Sequence, residues 1–110
     1  MISLVEQSRP ALAELCRRFN VRRLYIFGSA ATDGFNPDSS DLDFVVDLAD
    51  RQPTGEYADR YLGLAESLEA LFGRPVDLLT EQSLRNPYLR REVQTTRELV
   101  YEQSRAETAV

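Results

Sequence analysis

The sequence predicts an α/β domain, a small mixed β-sheet covered by helices. Three observations lead there. Short apolar runs rich in β-formers recur at Leu24–Phe27, Leu42–Leu48 and Val76–Leu79. Between and around them lie longer segments whose apolar residues fall at helical spacing. The chain has 110 residues, enough for one self-sufficient core and too few for two large ones. Residues 1–110 are therefore expected to form one domain.

The first segment, roughly 3 to 19, is helical in pattern, with Leu4, Leu12, Leu15 and Phe19 on one face. Ser3 with Glu6 fits a capping box, while Ser8 with Pro10 offers a second start, so this helix either begins early and bends or begins near Ser8. Asn20 is a plausible stop. Leu24–Phe27 reads as a strand covered on both faces. Residues 29 to 40, with Gly34, Asn36 and Pro37, read mostly as loop.

Leu42–Leu48 is the second strand, and residues 51 to 54 break the pattern. From about Gly55 to Phe72 the apolar positions return to helical spacing, with Tyr57 and Tyr61 read as core or interface residues. Gly73 ends that helix and Pro75 follows. Val76–Leu79 is the third strand. Asn86 before Pro87 suits an N-cap and first turn, opening a helix expected to run to about Gln103 with Leu89, Val93, Thr96 and Val100 as its stripe.

Composition removes several chemistries. The sequence has no histidine, which excludes His-based triads, His ligands and His bases. A single cysteine, Cys16, permits neither an intrachain disulfide nor a four-cysteine metal site, and reads as a small apolar residue on a packed helix. No apolar stretch approaches the roughly 20 residues of a membrane helix. The amino terminus lacks the basic lead-in of a signal peptide, so a cytoplasmic location is expected. With a net charge of -5, nucleic acid is disfavoured as the main ligand. All 13 basic residues are arginine, and the pairs Arg17-Arg18, Arg22-Arg23 and Arg90-Arg91 read as exposed charges.

What remains is carboxylate chemistry. Side chains alternate along a strand, so Asp41 and Asp43 point the same way, about 7 Å apart. Leu42, Phe44 and Val46 point to the other face. Two such carboxylates repel, and a divalent cation relieves the conflict. An oxygen-only ligand set suits Mg²⁺ or Mn²⁺ shared with phosphate oxygens. Asp77, a lone acid in the third apolar run, would join them if its strand lies beside the second. Three acids so placed suit two metal ions and in-line displacement at phosphorus.

Gly28-Ser29, directly after the first strand, adds a turn where backbone and a hydroxyl approach a phosphate. Asp47 falls on the face of Asp43 but about 13 Å further along, and reads as a solvated strand end. Blander alternatives are a solvated acidic strand start for Asp41 and Asp43, and an ion pair for Asp77, for example with Arg74.

Gly28-Ser29, a loop, then Asp41-Leu42-Asp43 and an apolar run together resemble the signature of the DNA polymerase β-like nucleotidyltransferase superfamily. The stretches LYIFGSA, SDLDFVVD and LFGRPVDLLT, at these separations, resemble its smallest branch, the minimal nucleotidyltransferases of the MntA antitoxin type. The similarity runs from about residue 8 to 103.

The resemblance implies that Gly28 and Ser29 contact nucleotide phosphates. It implies that Asp41, Asp43 and Asp77 form the catalytic and metal-binding set for two Mg²⁺ ions. It further implies transfer of AMP from ATP to a tyrosine of a HEPN-family ribonuclease toxin. One stretch departs from the pattern: Ala30–Gly34 lacks the Arg and second Gly common after the Gly-Ser pair. Two other readings stay open, an antitoxin that acts by binding alone, and nucleotidyl transfer to a small molecule or RNA end.

Overall fold

A computed structural model of the protein describes residues 3–31, 41–49 and 55–103. Two helices open the chain, α1 (Ser3–Gln7) and α2 (Arg9–Arg18), followed by β1 (Val21–Phe27). Then come β2 (Leu42–Leu48), α3 (Gly55–Phe72), β3 (Val76–Thr80), α4 (Pro87–Thr96) and β4 (Glu98–Glu102). The strands form one sheet in the order β3-β2-β1-β4. β1 runs antiparallel to both β2 and β4, while β2 and β3 are parallel, joined by α3. The sheet is therefore mixed, as expected.

The two central strands, β1 and β2, bury residues on both faces because helices cover both. Leu24, Ile26, Leu42, Phe44 and Val46 pack with Leu12 and Cys16 of α2 and with Leu64, Leu68 and Phe72 of α3. On the other face Phe27 and Val45 pack with Leu84 and with Val93 of α4. Burial at about 25 cal/mol per Å² makes these two apolar layers the main stabilising element. Tyr61, half-buried, packs on the larger layer and donates its hydroxyl to the Leu78 carbonyl.

Local chemistry sets the boundaries. The opening helix is interrupted at Ser8, with Pro10 in the first turn of α2. Asn20 takes a left-handed φ of 56° after α2, and Gly73 one of 63° after α3, each reversing the chain into a strand. The Asn86 side chain accepts from the Tyr88 and Leu89 amides, capping α4 as its sequence suggests.

Three expectations are corrected. β1 begins at Val21, not Leu24. The last helix does not reach Gln103: Arg97 turns extended (φ -61°, ψ 142°) and Glu98–Glu102 pairs with β1 as a fourth strand. Asp47 is not a solvated strand end; it is 2% exposed, on a central strand with Arg23 opposite it across β1–β2. The loop expectation also needs refining, since Gly28–Ala31 forms a 3-10 turn. The rest of that stretch, residues 32 to 40, and the break at 51 to 54 lie outside the described residues. No helix among the described residues is long and apolar enough to cross a membrane.

Candidate active site

β2 and β3 place the acids. In their parallel register Asp43 stands opposite Asp77 and Leu42 opposite Val76. Neighbouring strands lie about 4.8 Å apart, so these two carboxylates meet on one face. Asp41, immediately before β2, projects from the same end of the sheet, exposed along with Asp77, while Asp43 is half-buried. The condition set on the sequence, that the third strand lie beside the second, is met.

Electrostatics mark Asp43 as the strained member. Its carboxyl is pushed up from 3.8 to about 6. Burial is the largest cause, followed by the charges of Asp77, Asp41 and Glu92, and by a hydrogen bond to Asp77 that favours the protonated form. At Tyr61 too, burial first, then Tyr57 and Asp77, raise the phenol above the ordinary value.

The donor set is carboxylate oxygen alone, with the Asp43 carboxyl raised by burial and by three neighbouring acids, and that chemistry fits a hard divalent cation. Among the described residues no group of three His, Cys, Asp or Glu is placed to hold a metal ion. The Asp43–Asp77 pair by itself offers oxygen ligands on one side only, and Mg²⁺ commonly takes its remaining ligands from waters and substrate phosphates.

Gly28 ends β1 at a tight turn beside Asp43. It is buried, with a left-handed φ of 69°. Its amide donates to Thr96 Oγ1 at 3.0 Å, and that hydroxyl donates onward to the Glu92 carbonyl at 2.7 Å. A Cβ at Gly28 would lie 3.0 Å from Asp43 Oδ2 and 3.8 Å from Glu92 Oε1. The glycine therefore leaves the space the Asp43 carboxylate occupies. Ser29 follows within the same 3-10 turn.

Glu92 and Thr96 are the residues that sequence reasoning missed. They stand four apart on α4, so they share a flank, and that flank faces the acids. A signal was present: Thr96 is a polar residue in a stripe otherwise apolar, one turn from an acid.

A four-stranded mixed sheet with helices on both faces and this acidic end is the fold of a nucleotidyltransferase. The family model described as a nucleotidyltransferase domain matches residues 9–100, and the chain belongs to that family. A candidate protein adenylyltransferase of Methanocaldococcus jannaschii is 33% identical over 84 residues, 76% of this chain and 79% of that protein. Protein adenylyltransferase MntA of Thermococcus cleftensis is 37% identical over 73 residues, 66% of this chain and 69% of MntA. A chain of the solved complex of tri-AMPylated Shewanella oneidensis HEPN toxin with MNT antitoxin shares the fold at a TM-score of 0.62. That match covers 94% of this chain and 77% of the other at 20% identity. The resemblance read from the three sequence stretches holds.

Proposed function

We propose that this chain is a protein adenylyltransferase and the antitoxin of a toxin–antitoxin pair. It moves AMP from ATP to a tyrosine of a cognate HEPN-family ribonuclease toxin in the cytoplasm, working as one minimal catalytic domain over residues 1–110. The observation that carries the reading is the pairing of Asp43 with Asp77 across parallel strands, beside a glycine that leaves room for Asp43. Kinship with MntA supports the acceptor class.

In this reading Asp41, Asp43 and Asp77 hold two magnesium ions, or manganese in their place. Divalent cations bound there supply charge neutralisation to the phosphates. Gly28 preserves the seat of Asp43, and the turn bearing Ser29 lies against the phosphates. Asp77, the exposed partner of the pair, takes the proton from the acceptor hydroxyl. That oxygen forms a bond to the α-phosphorus of ATP, the bond from α-phosphorus to the bridging oxygen breaks, and pyrophosphate leaves with its electrons.

The altered Ala30–Gly34 stretch favours one other reading, inhibition by binding alone. Intact mass of the HEPN partner after incubation with this protein, ATP and Mg²⁺ separates the two. A gain of one or more AMP units, with inhibition requiring ATP, is the expected result. Full inhibition without ATP and without a mass change would replace transfer by binding.

A further inference from the structure

The flank of α4 turned away from the acids borders a second feature. A polar cleft of about 380 Å³ is lined by Arg23, Tyr25, Glu81, Arg90, Gln94 and Arg97. Its volume falls in the range of small-molecule sites, about 300–1,000 Å³. Arg23 stands opposite Asp47, about 13 Å along β2 from Asp43, and Tyr25 opposite Val45, about 7 Å from it, so the cleft opens beside the acids without being lined by them. In a chain with net charge -5, three guanidinium groups converge here.

The three differ in what holds them. Arg23 Nε is 2.8 Å from Glu102, and Arg97 is 3.7 Å from Glu81, both pairs partly open to solvent and therefore readily exchanged. Arg97 also lies over the Tyr25 ring, 4.6 Å from its centroid, which fixes where its charge sits. Arg90 donates from Nε and Nη2 to the Leu84 carbonyl at 3.0 and 2.7 Å. That acceptor carries no charge, so Arg90 brings a full positive charge to the cleft with its orientation already set.

We propose that this cleft binds the phosphate monoester group of a small molecule, at a site separate from the acidic one. A single carboxylate engages one guanidinium fork. A phosphate dianion has charge and acceptor oxygens enough to engage several, which is what three convergent arginines offer. Gln94 adds a neutral polar side chain on the same flank of α4. The ligand is recognised by its phosphate, whether that phosphate is free or carried on a sugar or nucleoside.

The test uses the full chain, ¹⁵N-labelled, in EDTA so that cation-dependent binding at the acids is silent. Inorganic phosphate, ribose 5-phosphate, AMP, adenosine and glutamate are titrated separately while the Arg Nε–H signals and the Gln94 amide are followed. Saturable shifts with the phosphate compounds, at least tenfold weaker affinity for glutamate and none for adenosine, are expected. Comparing the three phosphate compounds identifies what carries the group. Arg90→Gln should weaken binding at least tenfold, and so should Gln94→Glu, which adds a negative charge without removing the Leu84 contact. No shift at these residues, equal binding of glutamate or adenosine, or binding unchanged in both variants would overturn the proposal.

Discussion

Asp43 occupies the space that a side chain on Gly28 would need: a Cβ there would sit 3.0 Å from Asp43 Oδ2. The exit of β1 and the start of β2 are thus fitted to each other at one atom. Replacing Gly28 by Ala should therefore do two things. It forces a left-handed φ of 69° on an L-residue, costing about 1–2 kcal/mol, and it displaces the Asp43 carboxylate. Gly73→Ala is the control, since its φ is 63° but nothing lies within 4 Å of its Cβ position. Both variants should melt at lower temperature, and only Gly28→Ala should also lose nucleotidyl transfer.

The proton on Asp43 gives a pH signature in cation-free protein. Its carboxyl sits at about 6 in the fold against an ordinary 3.8, so between those values the folded state holds more proton than the unfolded. Stability from this group is therefore greatest at low pH and declines as pH rises through that window. Carboxyl NMR titration in EDTA should find the raised value, and Asp77→Asn should lower it. The Asp43→Asn variant should lack this part of the decline in urea midpoint between pH 4 and pH 7. A wild-type titration at the ordinary value would remove the electrostatic case for a cation.

Thr96 ties α4 to the glycine turn by accepting the Gly28 amide. Thr96→Val keeps the shape and leaves that buried N–H unpaired, a cost of about 1–3 kcal/mol. Thr96→Ser should restore most of it. Urea unfolding of the three proteins measures this, and equal midpoints would show that the bond contributes nothing.

Cys16 is fully buried, and burial pushes its thiol up to about 12. It should resist thiol reagents in the native protein at neutral pH and react at once in denaturant. Fast labelling of the folded chain would mean that α2 opens far more readily than its packing allows.

Where local chemistry decides, the sequence was legible. The span of β2, the length of α3 and the Asn86–Pro87 start of α4 follow from alternation, helical spacing and capping. Where distant contacts decide, it was not. Val93 and Val100 are seven apart, which suits two turns of helix, so nothing local forbade a helix through Gln103. Pairing with β1, from a segment some 75 residues earlier by the Ile26–Glu98 and Arg23–Glu102 partners, chose a strand instead.

Asp47 shows the same limit. Alternation put it on the correct face, but its burial depends on β2 being flanked by β1 and β3 in the sheet. Glu92 and Thr96 belong to the acidic end for the same reason, since a helix flank has no meaning until the helix is docked. At Gly28 the sequence marks a tight turn, but the closeness of its Cβ position to Asp43 depends on the pairing of β1 with β2.

The most direct measurement is transfer of label from α-phosphate-labelled ATP to the HEPN partner, with Mg²⁺, by wild type, Asp43→Asn and Asp77→Asn. Losing a carboxylate that stabilises developing charge should slow transfer by about 10²–10³-fold or more. Circular dichroism should show each variant still folded. Label on the partner with wild type, and almost none with either folded variant, is the predicted result. Undiminished labelling by Asp43→Asn and Asp77→Asn would contradict the account.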